Sequence, residues 1–385
     1  MSVLEGYNMA IDLVNSEAIE VINPTGRRIL QLTTNTRRSV HGYYDLPPWS
    51  PVDGRIAFSR MDAPDSKTGD ICVMDADGDN LHKVAESRAM SSNGGALAQW
   101  ASDGSRVYFK DRDRETRLIG WVDPDTGISG THPGDLRMIS PAGHLHAYHT
   151  MHGDYAEDDV PKMKDVHGVF AQDLETGESK QLATLSDCLT LHPRRDEIAD
   201  WHLFVKHTKW SPDGSRMMFV FTNEIHFDRK YGELPRVKDV YVINADGSNL
   251  KRIGEFGNHP LWHPNGREIL TNSPFEGSPG NKLVLTDVET GEERLAVTCA
   301  KGSGHPSFSP DGKYIVIDVV NHTTKEAKFL LVDVETDTAE TLLELPVFDH
   351  SHAGTHLHPV WRQDSSQILY ASDASQICQL CVCDV

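Results

Sequence analysis

The chain has 385 residues, of which 38% are hydrophobic and 24% charged, a balance that excludes a disordered polymer and leaves apolar surface for a large core. A formal net charge of -20 excludes nucleic acid as a general partner, because phosphate binding needs a basic footprint, and it requires that any acidic ligand meet a locally cationic pocket. No run approaches a membrane span, and Met1 to Val21 carries Glu5, Asp12, Glu17 and Glu20 without a signal-peptide core, so the expected location is cytoplasmic, away from any membrane.

A chain of this length ordinarily divides into several domains, but an internal repeat makes residues 1–385 a single one. The first β-rich run, Arg28-Ile29-Leu30-Gln31-Leu32, stands alone within an N-terminal segment at about 26–33. One phrase then recurs in seven copies: Trp49 to Gly54, Trp100 to Gly104, Ile139 to Gly143, Trp210 to Gly214, Trp262 to Gly266, Phe308 to Gly312 and Trp361 to Ser365. In most copies a β-rich run follows, such as Val107-Tyr108-Phe109 or Ile315-Val316-Ile317, so the Asp-Gly pair marks a tight turn between two strands. A second turn phrase, for example Asp173-Leu174-Glu175-Thr176-Gly177 or Asn244-Ala245-Asp246-Gly247, marks a second hairpin. Two hairpins per repeat give four strands, and seven such units close into an all-β, seven-bladed β-propeller with four-stranded blades. The seventh copy runs almost to the end, so the segment at 26–33 is expected to supply its missing strand. The longest intervals, Asp154 to Lys164 and His192 to His207, read as insertions able to wall a ligand site.

Counting back seven positions from each turn residue gives His207, His259, His305 and His358, in four successive copies. This position precedes the turn on the innermost strand, so the four side chains should converge on the central channel. His356 lies two residues before His358 and shares its face. Channel histidines also serve as water-bonded polar filling, but a matched set from four blades favours a divalent metal, and three or four neutral imidazoles suit Mn²⁺, Zn²⁺ or Ni²⁺. Neither HExxH nor GxSxG occurs, so zincin and serine-hydrolase chemistry lack their signatures. Of six cysteines, Cys378, Cys381 and Cys383 form a CxxC with an extension but no second pair, which reads as structural, and no disulfide framework is expected.

Five further motifs, in order, are Ser39-Val40-His41-Gly42-Tyr43-Tyr44, Asn93-Gly94-Gly95, Asn258-His259-Pro260-Leu261-Trp262, Gly304-His305-Pro306 and Thr355-His356-Leu357-His358-Pro359. With these the sequence resembles the oligogalacturonate lyases, from about His41 to the C-terminus. The resemblance implies a metal-dependent lyase that cleaves uronate glycans by β-elimination, with manganese as the ion and zinc, nickel and calcium as alternatives. It implies His305, His356 and His358 as ligands and His259 as the catalytic histidine, with His207 next in line. A family glutamine ligand is replaced by Ala353, leaving His350 or His352 to complete the set. A family pocket arginine is replaced by Asp239, with Lys238 and Arg236 nearby.

On this reading Lys209, Arg236 or Lys238 neutralises a uronate, and His41, Tyr43 or Tyr44 stacks on or hydrogen-bonds to a sugar. The partner is then an acidic oligosaccharide. Three alternatives stay open: a lyase acting on glucuronate or iduronate glycans of the ulvan or rhamnose-glucuronate type, another metal-dependent propeller enzyme, and a non-catalytic scaffold like TolB, which has similar turns.

Overall fold

The repeat turns are made by residues whose chemistry suits them. Gly104, Gly214, Gly266 and Gly312 take φ of 71°, 69°, 66° and 76°, the left-handed region that glycine enters at no steric cost. The preceding carboxylate locks the turn, as where the Ser105 and Ser215 amides donate to Asp103 and Asp213 Oδ1 at 3.0 and 3.1 Å. In the last copy Ser365 holds the same conformation, at φ 63°, without glycine's freedom.

A computed structural model describes residues 16–150, 163–224, 235–321, 323–348 and 356–385. Seven antiparallel sheets stand in chain order around a channel, each starting from an innermost strand. These innermost strands are Ser39–Val40 in blade 1, Gln99–Trp100 in blade 2, Met138–Ile139 in blade 3 and Phe204–Trp210 in blade 4. Asn258–Trp262, Ser307–Phe308 and Val360–Trp361 play that part in blades 5, 6 and 7. Blade 7 takes its fourth strand from Arg28–Gln31, which pairs antiparallel with the C-terminal strand Gln379–Asp384, Leu30 opposite Val382, and Ile19–Ile22 adds a fifth. The two ends of the ring are thus held by a strand ladder.

The core is divided between blade interfaces. Met218, Val220 and Val240 of blade 4 pack on Trp262 and Ile269 of blade 5, and Leu270 and Leu285 of blade 5 pack on Phe308 and Ile317 of blade 6. The turn aromatics add hydrogen bonds backwards around the ring. The indole N–H groups of Trp100, Trp262 and Trp361 donate to the carbonyls of Pro48, Lys209 and Ser307 at 3.1, 3.1 and 2.9 Å. The cysteines form no disulfide among the described residues.

The helices between blades 3 and 4, Leu185–Leu191 and Arg195–Ile198, were not read from the sequence. Their signal was present as a capping box, in which Thr184 and Asp187 exchange side-chain and backbone hydrogen bonds. The first helix, which precedes the expected insertion at His192, touches the outermost strands of blades 3 and 4 and so lies at the rim; the other expected insertion, Asp154 to Lys164, lies outside the described residues except for its last two positions.

Candidate metal centre

Three channel histidines occupy strained backbone positions. His207, His259 and His358 have φ of 57°, 50° and 43°, and the strand registers of blades 4 and 5 break at His207 and His259. A bulge of this kind turns a side chain out of the strand alternation and into the channel, which is why a repeat position, and not a simple alternation, brings the imidazoles together. In blade 6 the left-handed backbone falls on Gly304, φ 49°, where it costs no strain, and the next residue is His305.

The nitrogens of His305, His356 and His358 lie within 4.8 Å of one another. Their rings are 4.6 Å apart for His305 and His358 and 5.2 Å for His356 and His358. Buried Asp318 accepts from both the His305 backbone N–H and, at 2.9 Å, its Nδ1. That fixes the ring tautomer and aims Nε2 at the cluster, the arrangement by which a carboxylate orients a metal-bound histidine. Buried His358 Nε2 has no hydrogen-bond partner in the protein. Burial, and then the neighbouring His305, push the His358 pKa well below the ordinary range and keep it neutral. Three converging imidazoles, the unsatisfied nitrogen of neutral His358 and a supporting carboxylate fit a divalent transition ion. His350, His352 and Ala353 lie outside the described residues.

His259 stands beside the trio, its ring 4.4 Å from that of His305. Asn272 ties the two loops by donating to the Gly304 carbonyl at 2.9 Å. Asn272 and Asp318 hold the same place in their blades, six residues after the turn glycine.

The floor beneath the histidines is an expanded bulge of blade 1. Val40 pairs with Ser59 and the Pro48 carbonyl accepts from the Ala57 amide, so the chain from His41 to Pro47 loops into the channel. Tyr43 lies edge-on to His358 at 4.5 Å and stacks on His207 at 6.2 Å, and Tyr44 packs against His305 at 5.2 Å. Burial, then Asp45, raises the Tyr43 pKa and keeps it a phenol. His41, 6.3 Å from His358, is pushed down to about 4 by burial.

Buried Asp45 anchors the loop between Arg137 Nη2 at 2.6 Å and Lys209 Nζ at 2.9 Å. Lys209 also donates to Tyr44 Oη and the Pro260 carbonyl at 2.9 and 2.6 Å. These bonds consume the Lys209 ammonium in positioning Tyr44, so its expected contact with a uronate gives way to a supporting one. Asp45→Asn leaves two cations partly uncompensated in a buried site and should cost about 3–5 kcal/mol, measurable by denaturant unfolding.

Arg236 and Lys238 do come together, around Glu224. Lys238 Nζ is 3.1 Å from its carboxylate and 3.3 Å from Asn258 Oδ1, beside His259. Lys206, next to His207 and not singled out in the sequence, joins them through the Glu224 carbonyl at 3.3 Å. Asp239 does not reverse this charge. It is fully buried, paired with Arg252, and accepts from His192 Nε2 at 3.1 Å, thereby pinning the helical insertion to blade 4. Arg137, its guanidinium 5.8 Å above the Tyr43 ring, is a further channel cation missed in the sequence, where nothing in the repeat marked it.

At the other end of the channel lies a cavity of about 380 Å³ lined by the turn aromatics Trp49, Trp100, Trp210, Trp262 and Trp361. Tyr44, Asp45 and Lys209 close it toward the histidines, none of which lines it. It is mostly apolar and lacks groups suited to the chemistry of the opposite end.

No protein-family model matches the chain. Among curated proteins, a segment is 27% identical over 154 residues to the oligogalacturonate lyase of Dickeya dadantii, covering 35% of this chain and 39% of that protein. Another is 25% identical over 156 residues to the uncharacterized peptidase YuxL of Bacillus subtilis, covering 31% and 22%. The chain therefore spans well under half the length of either relative. Among solved structures, an oligogalacturonate lyase in complex with manganese superposes with TM-score 0.70 at 17% identity, over 97% of this chain and 98% of that one. The oligogalacturonate lyase of Vibrio parahaemolyticus gives 0.71 at 15%, over 98% and 99%. These likenesses place the fold among oligogalacturonate lyase-like propellers. No described helix is long and apolar enough to cross a membrane.

Proposed function

We propose that the protein is a metal-dependent lyase that cleaves uronate-containing oligosaccharides by β-elimination, with oligogalacturonate as the leading substrate class. The observation that carries this reading is the His305, His356 and His358 cluster, braced by Asp318, with His259 one ring away. A divalent ion held by the three histidines, manganese by analogy with the lyase relative, would supply Lewis-acid stabilisation of charge developing on the uronate carboxylate. His259 takes the C5 proton as general base. The C5–H electron pair forms the C4=C5 double bond and the C4–O bond breaks with its pair on the leaving oxygen. That oxygen takes a proton from Tyr43, kept protonated beside the cluster, and Tyr43 regains its proton from water. Lys206, Arg236 and Lys238 offset a neighbouring carboxylate in an otherwise acidic molecule.

The reading is tested by following ultraviolet absorbance on galacturonate, glucuronate and iduronate oligomers, because a 4,5-unsaturated product absorbs and a hydrolysis product does not. A rise on at least one class is expected; reducing ends released without absorbance would mean a hydrolase.

Lys206 makes a further expectation. Burial, and then Lys238, push its ammonium down to about 8; Arg236, Glu224 and His207 are its other charged or titratable neighbours. It is charged below that pH and neutral above, so KM for a uronate should rise as pH climbs through about 8. Lys206→Arg, permanently charged, should flatten that limb, and an unaltered profile would remove Lys206 from the site.

A further inference from the structure

A cationic cavity of about 340 Å³ opens between blades 1 and 2. Its lining sets Lys67, Arg88, Lys110, Arg112 and Arg117 against Asp111 and Asp135, an excess of positive charge in a chain of net charge -20. Two carboxylates hold three of the cations in place: Asp111 takes Arg88 at 3.0 Å, and Asp135 takes Lys110 and Arg117 at 2.7 and 3.5 Å. Arg112 and Lys67 form no ion pair among the described residues, and both are exposed.

The cavity lies at the histidine end of the channel. Leu97, which lines it, holds in blade 2 the place that the histidines hold in blades 4, 5 and 7, with the same left-handed backbone at φ 52°. Gly95 lines the cavity on that side, with Gly94 just before it in the chain. A Cβ on Gly94 would lie 3.8 Å from the Gly42 backbone, and Gly42 follows His41, whose ring is 6.3 Å from His358. A chain of contacts through His41, Gly42 and Gly94 thus links the metal cluster to the cavity. The cations Lys206, Arg236 and Lys238 belong to blade 4, two blades further round the ring from blade 2.

We propose that this cavity is a distal subsite that binds the carboxylate of a second uronate in the chain whose scissile bond lies at the histidine cluster. The inference rests on the uronate reading and extends it: the enzyme reads acidic chain length as well as the sugar at the cleavage point. An extended acidic glycan meets cations on both sides of the channel mouth, and ordered but incompletely compensated guanidinium groups suit planar carboxylates.

The test compares a uronate dimer with a hexamer on the metal-loaded His259→Ala protein, in which turnover is suppressed, and on the same protein carrying Lys67→Glu/Arg112→Glu. Both substitutions fall on exposed side chains, and thermal unfolding verifies the fold. Calorimetric affinity for the hexamer should fall about tenfold relative to the dimer, and its salt dependence should weaken. An unchanged hexamer-to-dimer ratio would overturn the subsite. Saturable binding of inorganic phosphate that disappears in the variant, without a change in hexamer affinity, would make the cavity a free-anion site and also overturn it. Because binding is read without turnover, a protein that cleaves no uronate would sink the lyase reading separately from this result.

Discussion

His259→Ala is expected to lower kcat on a uronate oligosaccharide by about a hundredfold or more, the typical contribution of a positioned general base, with bound metal retained. The expectation follows from two separations. His259 is close enough to the trio to meet a sugar whose carboxylate sits at His305, their rings being 4.4 Å apart, yet it is not among the three histidines whose nitrogens converge. Its bulged backbone at φ 50° is held by blade 5, so alanine removes the base without undoing the cluster. KM should change little beside kcat, because a proton acceptor acts in the transition state. A fully active variant would move the base elsewhere, and His207, stacked on Tyr43, is the next candidate.

His356→Ala should remove both metal and activity. On the proposed assignment three described nitrogens would hold the ion; with two, affinity should drop and activity fall to that of chelated protein. Asp318→Asn probes the same site more gently. The three imidazoles remain, but His305 Nδ1 loses its carboxylate acceptor, and a loss of 10–100-fold in metal affinity is the usual result of such a change. Elemental analysis after dialysis against a weak chelator should order the proteins as wild type, Asp318→Asn, His356→Ala. Equal metal in all three would refute the ligand assignment.

The propeller could be read in advance because its turns are local chemistry repeated. An aromatic before the turn and a carboxylate-glycine pair that makes a left-handed turn leave much the same mark in most copies. The convergence of the histidines was legible for the same reason, since a repeat coordinate survives translation into three dimensions. What did not show was whatever depends on one blade's departure from the pattern. The loop from His41 to Pro47 gives no sign in composition that it enters the channel, or that Asp45 buries Lys209 beneath Tyr44. Asp318 did leave a trace, as a lone carboxylate in the apolar run Ile315-Val316-Ile317-Asp318-Val319-Val320, and a polar residue six places after the turn, as in Asn272, would have pointed to it. Asp239 was misleading for a physical reason: along a strand, neighbouring residues face opposite ways, so Lys238 meets Glu224 and Asn258 while Asp239 meets Arg252 and His192.

The central claim, that the histidine cluster carries metal-dependent elimination on a uronate, is tested most directly by one absorbance trace. The protein is stripped with a chelator, dialysed, mixed with an oligogalacturonate and followed in the ultraviolet before and after addition of manganese. No rise is expected in the stripped protein, and formation of the unsaturated product should be restored on adding the ion. Undiminished elimination by protein shown to be metal-free would contradict it.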